Sequence, residues 1–210
     1  MSFERESIPL TGMAKKTAAL ILMGIKHCGK STQGRLLSKY FACPFYDTDD
    51  LILETKGKTP RQIYMEQGES AFIEAEEEAC VHLAKLLSQR TRPAAPYTAV
   101  IATGGGICKN EKALALLRKM GTLVFLQAEE ETAADRIVRE ALVSDNGKIS
   151  NLPAYIAKEQ PRTLEDVRAS FHRFYADRTK KYSAICDVRV ALHSAPPEAN
   201  MHCILKAIRS

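Results

Sequence analysis

The sequence predicts an α/β fold in which a parallel sheet is flanked by helices. Short apolar runs alternate along the chain with longer stretches of helical periodicity. The first apolar run, residues 18–23, stops abruptly at Gly24, as expected of a strand buried on both faces. Strands that alternate with helices indicate βαβ units joined by right-handed crossovers.

Five strands and six helices account for most of the chain. The predicted strands are residues 18–23, 44–46, 98–102, 122–126 and 187–192. The predicted helices are residues 30–41, 59–88 with a break near Gly68, 111–119, 132–143, 164–182 and 199–208. We expect residues 1–14 to be a flexible leader, residues 15–210 to be a single domain, and residues 144–162 to form a lid, since a polar loop of that length is typically functional.

Composition and charge exclude several classes of protein. The chain has 210 residues, of which 45% are apolar and 26% charged, which is typical of globular domains. A net charge of +5 without a clustered basic stripe argues against nucleic acid and suits an anionic small substrate. No apolar run reaches about 18 residues, so no membrane span is expected. The six cysteines include no C-x-x-C pair, which favours free thiols in the cytoplasm over a zinc site or disulfides. We also expect the protein to be a monomer.

Residues 24–32, GIKHCGKST, match the phosphate-binding pattern G-x-x-x-x-G-K-[ST] between a buried strand and a helix. The glycines let the backbone curl so that N–H groups face phosphate oxygens, and the helix N-terminus attracts the anion. Lys30 is expected to reach the β- and γ-phosphates, Ser31 to hold Mg²⁺, and Thr32 to lie near the α-phosphate. The expected nucleotide contacts in this loop are Gly24, His27, Cys28, Gly29, Lys30, Ser31 and Thr32.

Two other interpretations of this loop remain open. The whole segment could be a glycine turn with an exposed lysine, although its position between strand and helix favours phosphate binding. His27 and Cys28 could form a metal-binding or nucleophilic pair. We interpret both as loop residues that present backbone N–H groups to the nucleotide.

Three carboxylates follow the second strand, at Asp47, Asp49 and Asp50. Carboxylates two positions apart can serve two partners: one orients the Mg²⁺ shell, while the other holds and activates a substrate hydroxyl. Phosphoryl transfer requires that division, because its catalysis consists of positioning and charge neutralisation. The alternative is that Asp49 or Asp50, with Asp50 preferred, is the N-cap of a helix.

Three glycines, Gly104, Gly105 and Gly106, end the third strand. Ligands in open α/β sheets bind at the carboxyl ends of the strands, and glycines there let a substrate touch the backbone. The alternative is a sharp turn with no ligand.

The order and spacing of these motifs resemble the shikimate kinases, small ATP-dependent kinases of aromatic amino-acid biosynthesis. The resemblance covers nearly the whole chain and rests on the phosphate loop, FYDTDD at 45–50, the segment 59–72, ATGGGI at 102–107, VFL at 124–126, and Arg178 before Tyr182. It implies a three-layer P-loop fold with a five-stranded parallel sheet. It also implies ATP at residues 24–32, and Mg²⁺ at Ser31 and, through water, at Asp47.

On the acceptor side, the resemblance implies that Asp49 binds ring hydroxyls and accepts the proton of the attacking one. Gly105 would lie against the substrate, and Arg178 would pair with the substrate carboxylate. Arg136 would lie near the adenine. For both arginines the alternative is a solvated helix surface.

Two positions depart from the family pattern. Ile73 stands where the family has an arginine that clamps the substrate carboxylate, which leaves Glu76 without the partner it would orient. A charge-assisted pair of that kind contributes about 2–3 kcal/mol. The lid lacks the family's Arg-Pro-Leu-Leu segment, and Arg139, Lys148 or Arg162 are candidates to replace its arginine.

The sequence therefore predicts a small-molecule kinase that uses ATP and Mg²⁺, with Lys30 and Asp49 as its catalytic residues and shikimate as its acceptor. One alternative is a related kinase for another polyol or sugar acid, which Ile73 favours. The other is a nucleotide-binding regulatory module without turnover, which the altered lid favours. A GTP switch protein is disfavoured because no Asn-Lys-x-Asp guanine motif is found.

Overall fold

The computed structural model describes residues 19–89, 96–144 and 147–209, so the predicted leader, residues 1–14, lies outside the described residues. The strands, in chain order, are Ala19–Met23 (β1), Phe45–Asp47 (β2), Val100–Ala102 (β3), Gly121–Ala128 (β4), Leu142–Val143 (β5), Ile149–Ser150 (β6) and Val188–Leu192 (β7). Five of them form one sheet in the order β2-β3-β1-β4-β7, and every pairing in it is parallel. The predicted five-stranded parallel sheet is confirmed.

The helices are Lys30–Phe41 (α1), Thr48–Lys56 (α2), Pro60–Ser88 (α3), Glu111–Met120 (α4), Glu130–Glu140 (α5), Ala154–Ala157 (α6), Leu164–Ile185 (α7) and Pro197–Ala207 (α8). A short 3₁₀ turn covers Ile107–Lys109. Helix α1 packs against α8, α5 packs against α7, and α3 packs against α2 and α4. Because all five strands run in one direction, their carboxyl ends meet at one edge, where ligands bind in folds of this type.

The core lies along the central strands. All five residues of β1 are completely buried, as the continuous apolar run predicts for a strand covered by helices on both faces. The break predicted near Gly68 is also present: Gly68 has φ 88° and ψ −177°, and the chain is helical on both sides of it. That conformation suits glycine, since a Cβ disfavours positive φ.

The predicted helix 132–143 has different bounds. Helix α5 begins at Glu130, ends at Glu140, and is followed by Ala141 in an extended conformation. Leu142–Val143 then pairs antiparallel with Ile149–Ser150, so the lid region opens with a small hairpin. The apolar pair at 142–143 continues the helical spacing of α5, but both side chains are exposed.

Candidate active site at the phosphate loop and the glycine triplet

The loop between β1 and α1 is shaped to bind an anion. His27 and Gly29 are both left-handed, with φ of 64° and 97°, and Gly29 caps α1 without a side-chain hydrogen bond. Alternation of left- and right-handed residues turns successive N–H groups toward one side, which forms an anion-binding concavity at the helix N-terminus. The Lys30 ammonium is buried in this loop and donates to the carbonyls of Gly24, at 3.0 Å, and Ile25, at 2.8 Å.

Gly24 is required at the start of the loop. It has φ 152°, and a Cβ there would lie 2.6 Å from the Leu126 carbonyl oxygen and 2.8 Å from the Cys28 sulfur. Cys28 is buried inside the loop, while the His27 ring nitrogen Nδ1 lies 3.3 Å from the Glu140 carboxylate. These different partners do not support a metal-binding or nucleophilic His27–Cys28 pair. No cluster of three or more His, Cys, Asp or Glu side chains that could hold a metal ion occurs within residues 19–89, 96–144 and 147–209.

Ser31 and Asp47 are brought together from two different segments. The Ser31 hydroxyl donates to Asp47 Oδ2 at 2.6 Å, and Asp47 Oδ1 accepts from the backbone N–H of Asp49 at 3.1 Å. The alternative interpretation, in which Asp49 or Asp50 is the helix cap, is therefore wrong. Asp47 is the cap, because β2 passes into α2 with no intervening loop.

This donor set fits a magnesium ion. Mg²⁺ prefers oxygen ligands and keeps several waters, so it typically needs only one or two protein groups in addition to substrate phosphates. The adjoining oxygens of Ser31 and Asp47 lie beside the phosphate loop and meet that requirement.

Asp49 lies over the first glycine of the triplet. A Cβ placed on Gly104 would be 3.0 Å from Asp49 Oδ1, and the Gly104 N–H donates to Thr48 Oγ1 at 2.9 Å. Burial and, next, the negative charge of Asp47 raise the pKa of Asp49 to about 6, and the charge of Lys30 opposes this rise. A carboxylate with that pKa is ionised at neutral pH and is still basic enough to take a proton.

Gly105, the second glycine, holds the triplet against its neighbours. A Cβ on Gly105 would lie 2.7 Å from the backbone nitrogen of Lys26, so the triplet packs directly on the phosphate loop. The Gly105 carbonyl accepts a hydrogen bond from the Tyr182 hydroxyl at 3.1 Å. The triplet is therefore a tight turn, and it contacts both the phosphate loop and Asp49.

Arg178 is buried, with 5% of its surface exposed, so its interpretation as solvated helix surface is wrong. Its Nη1 donates to the Gly106 carbonyl at 3.1 Å and to the Cys108 sulfur at 2.9 Å. Its guanidinium carbon lies 4.5 Å from the centre of the Phe174 ring. Its Nε is buried and has no hydrogen-bond partner among the described residues.

Arg136 lies on the exposed side of α5 and reaches the phosphate loop, where its Nη1 donates to the His27 carbonyl at 2.6 Å. It lines a cavity of about 160 Å³ between the phosphate loop and the carboxyl ends of β4 and β7. Other lining residues include Thr32, Gln33, Glu129, His193 and Asn200. The cavity adjoins the loop at Cys28, Gly29 and Thr32, and neither Asp49 nor Glu76 lines it, which suits a nucleotide base.

Glu76 lies beside Gly104 and Asp49 in the candidate site. The sequence had indicated only that Ile73 replaces the arginine that Glu76 would orient. It is almost completely buried, and a Cβ on Gly104 would lie 2.9 Å from its Oε1. Asn110 Nδ2 donates to the Ile73 carbonyl at 2.8 Å and to Glu76 Oε2 at a longer 3.4 Å. Burial raises the pKa of Glu76 to about 7, and the Asn110 hydrogen bond only partly opposes it.

The lid contributes Tyr155, which no sequence motif had indicated. Its ring stacks on Phe174 with the ring centres 3.4 Å apart, and its hydroxyl is buried with no hydrogen-bond partner in the part of the chain that is described. Arg61 donates to Asn151 at 2.9 Å, which ties the lid to α3. Of the candidate lid cations, Arg139 lies exposed in the last turn of α5 and Arg162 lies exposed just before α7.

Comparison with known proteins agrees with this geometry. The family model for shikimate kinase matches residues 26–209. A shikimate kinase from Symbiobacterium thermophilum is 30% identical over 174 residues, which cover 80% of this chain and 92% of the relative. A shikimate kinase from Aquifex aeolicus is 30% identical over 189 residues, with 89% and 94% of the two chains covered.

Solved structures show the same fold. The crystal structure of the Aquifex aeolicus shikimate kinase has a TM-score of 0.62 at 29% identity and covers 90% of this chain and 95% of its own. A shikimate kinase from Acinetobacter baumannii in complex with shikimate has a TM-score of 0.67 at 21% identity, with 90% and 91% of the chains covered. No helix in the described segments is both long and apolar enough to cross a membrane.

Proposed function

Since the chain belongs to the shikimate kinase family, we propose that it transfers the γ-phosphoryl group of MgATP to a hydroxyl of shikimate, giving shikimate 3-phosphate and ADP. The observation that carries this proposal is the glycine triplet. Gly105 packs on the phosphate loop and Gly104 on the Asp49 carboxylate, so the triplet places a phosphate site next to a basic group. In-line transfer requires that juxtaposition.

On the nucleotide side, residues 24–32 hold the phosphates with their backbone N–H groups. Lys30, which donates to loop carbonyls in this structure, exchanges them for the β- and γ-phosphates when the nucleotide binds. Ser31 and Asp47 hold Mg²⁺, which supplies neutralisation of the phosphate charge when bound. Arg136 closes the base pocket from α5.

On the acceptor side, Asp49 orients the attacking hydroxyl and accepts its proton. Its raised pKa suits that role, because a general base is most effective when its pKa approaches the working pH. Arg178 uses Nη1 for its contacts with Gly106 and Cys108, and its Nε makes no hydrogen bond with the described residues. Arg178 pairs with the acceptor carboxylate through donors other than Nη1. The lid excludes water, which would otherwise compete as the phosphoryl acceptor.

The alternatives raised by the sequence are not favoured. The matching family model is that of shikimate kinase, and the Symbiobacterium thermophilum and Aquifex aeolicus relatives are shikimate kinases rather than kinases for another polyol. A module without turnover would not need a carboxylate of raised pKa beside the phosphate loop. As part of the proposal, the chain acts as a monomer in the cytoplasm. None of its six cysteines forms a disulfide in the structure.

A steady-state assay of ADP release from MgATP, with and without shikimate, tests this proposal. We expect a strong shikimate-dependent rate in the wild type that Lys30→Ala and Asp49→Asn abolish. A Ser38→Ala variant, altered on the same helix as Lys30 but away from the loop, should keep the wild-type rate. Release of ADP that shikimate does not stimulate would overturn the assignment of the acceptor.

A further inference from the structure

We propose that Glu76 is a second acceptor-binding carboxyl, which holds an acceptor hydroxyl next to the one that Asp49 activates. This inference rests on the proposed function, since it requires an acceptor with neighbouring hydroxyls. It makes Glu76 a substrate-specificity residue.

The geometry places the two carboxyl groups around one point. The position that a Cβ on Gly104 would occupy is 2.9 Å from Glu76 Oε1 and 3.0 Å from Asp49 Oδ1. The two oxygens therefore face the same glycine, from α3 and from α2. One acceptor molecule can therefore place one hydroxyl against Asp49 and a neighbouring hydroxyl against Glu76.

Glu76 has unused hydrogen-bonding capacity. Its side chain is 1% exposed, and Oε1 has no hydrogen-bond partner within the described residues. A buried polar atom without a partner costs about 1–3 kcal/mol, a cost that a bound hydroxyl would remove. Groups of this kind are rare in native structures, and each calls for a partner such as a water, an ion or a ligand.

Among the described residues, none is a dedicated counter-ion for Glu76. The residue one helical turn before it on α3 is Ile73, which carries no charge. The charged and titratable groups that face Glu76 are Asp49 on α2, Arg178 and Tyr182 on α7, and Cys80 on its own helix. Arg178 is the one cation among these, and its Nη1 is committed to the Gly106 carbonyl and the Cys108 sulfur.

The protonation state follows from this placement. Burial is the largest effect on Glu76 and raises its pKa to about 7, while Asn110 and Arg178 lower it. Below that pH the carboxyl is neutral and can donate to a hydroxyl oxygen of the acceptor. Above it the donor is lost, and an added negative charge faces an acceptor that is itself an anion.

Two substitutions separate this role from a purely structural one. Glu76→Gln keeps a donor and an acceptor of similar shape and cannot ionise. Glu76→Ala removes both. Glu74→Gln, an exposed position on the same helix, is the matched control.

We would measure kcat and KM for shikimate and for ATP from about pH 6 to about pH 8.5, with shikimate binding measured by calorimetry in parallel. In the wild type the affinity for shikimate should fall as the pH rises through 7. Glu76→Gln should bind as well as the wild type at low pH and lose that fall. Glu76→Ala should raise the KM for shikimate about tenfold, the value of one buried hydrogen bond, without changing the KM for ATP.

The failure of this inference differs from the failure of the proposed function. If the wild type neither binds nor phosphorylates shikimate, the proposed function is overturned and this inference falls with it. If the wild type is active, and both Glu76 variants keep its shikimate KM and its pH profile, the inference alone is overturned. Melting temperatures and ATP binding of each variant establish that any loss does not come from misfolding.

Discussion

The Ser31 hydroxyl and the Asp47 carboxylate share a 2.6 Å hydrogen bond that joins the first turn of α1 to the end of β2. The two residues are 16 positions apart in sequence. Ser31 follows β1 through the phosphate loop and Asp47 ends β2, and β3 separates these two strands in the sheet. Their oxygens thus meet at the carboxyl edge, beside the phosphate loop. The same carboxylate also caps α2 through its other oxygen, so the cap fixes its orientation.

This double role predicts a clean test of the metal site. Asp47→Asn keeps an oxygen that can cap α2 and removes the negative charge, so the fold should be preserved. We expect kcat to fall about 10- to 100-fold and the Mg²⁺ concentration for half-maximal rate to rise. A Mg²⁺ titration of the initial rate measures both, and an unchanged titration curve would remove Asp47 from the metal site.

A second prediction compares two glycines of the triplet. Gly104→Ala would place a Cβ within 3.0 Å of both Glu76 and Asp49, whereas Gly106→Ala would meet nothing closer than 3.7 Å, and its φ of −104° suits alanine. Gly104→Ala should therefore abolish turnover of the acceptor while nucleotide binding persists, and Gly106→Ala should be nearly neutral. Steady-state rates and fluorescent-nucleotide titration distinguish the two variants. Equal activity of the two variants would mean that Asp49 and Glu76 do not border the acceptor.

A third prediction concerns stability and pH. The pKa of Glu76 rises from an ordinary value of 4.5 to about 7 on folding, so the folded state binds the proton more tightly. The stability contributed by this group is therefore present at low pH and is lost as the pH rises from 4.5 to about 7, by about 3 kcal/mol in total.

Glu76→Gln, which cannot ionise, should consequently be more stable than the wild type by about 1–3 kcal/mol near pH 8 and no more stable near pH 4.5. Urea denaturation at the two pH values measures the difference. Glu74→Gln should show no such dependence. The opposite order, with the glutamine variant weaker at high pH, would show that ionised Glu76 is stabilised in the free protein.

A fourth prediction uses two tyrosines. The Tyr155 hydroxyl is buried without a partner among the described residues, whereas the Tyr175 hydroxyl donates to the Ala128 carbonyl at 2.8 Å. Tyr175→Phe should lose about 1 kcal/mol of stability, and Tyr155→Phe should lose none. We expect Tyr155→Phe instead to raise the KM for shikimate, because the Tyr155 ring stacks on Phe174, the ring that Arg178 covers. A loss of stability equal to that of Tyr175→Phe would show that the hydroxyl has a partner in the free protein.

A fifth prediction restores the missing cation. Ile73 and Glu76 lie one helical turn apart, so Ile73→Arg places a guanidinium within reach of both Glu76 and the acceptor carboxylate. We expect the KM for shikimate to fall about tenfold near pH 8, where Glu76 is ionised, with a smaller change at low pH. Ile73→Leu is the control for side-chain size. An unchanged KM in the arginine variant would mean that this face of α3 does not border the acceptor.

Much of the fold could be predicted from sequence because its signals are local. The buried strand at β1, the phosphate loop and the break at Gly68 each depend on residue types at fixed spacing. The end of α5 could not be predicted, because residues 142–143 can either extend the helix or form a strand, and the local sequence does not decide between the two. Leu142 and Val143 continue a helical pattern, yet they pair with residues 149–150 across a turn.

The site was only partly predictable, because several of its contacts come from tertiary packing. Arg178 belongs to a basic run on α7 that is typical of a solvated helix, and only the packing of α7 against the glycine triplet buries it. Asn110 carried a local signal as the N-cap of α4, but its bond toward Glu76 spans 34 positions. Tyr155 lies on a four-residue helix inside the lid, where no periodicity can be recognised.

The most direct test of the central claim is to identify the product. Purified protein would be incubated with MgATP labelled in the γ-phosphoryl group and with shikimate, and the products separated and examined by mass spectrometry and phosphorus NMR. We predict that the label appears on the ring hydroxyl of shikimate in amounts equal to the ADP formed, and that Asp49→Asn prevents this transfer. Label released only as inorganic phosphate, or retained in ATP in the presence of shikimate, would contradict the account.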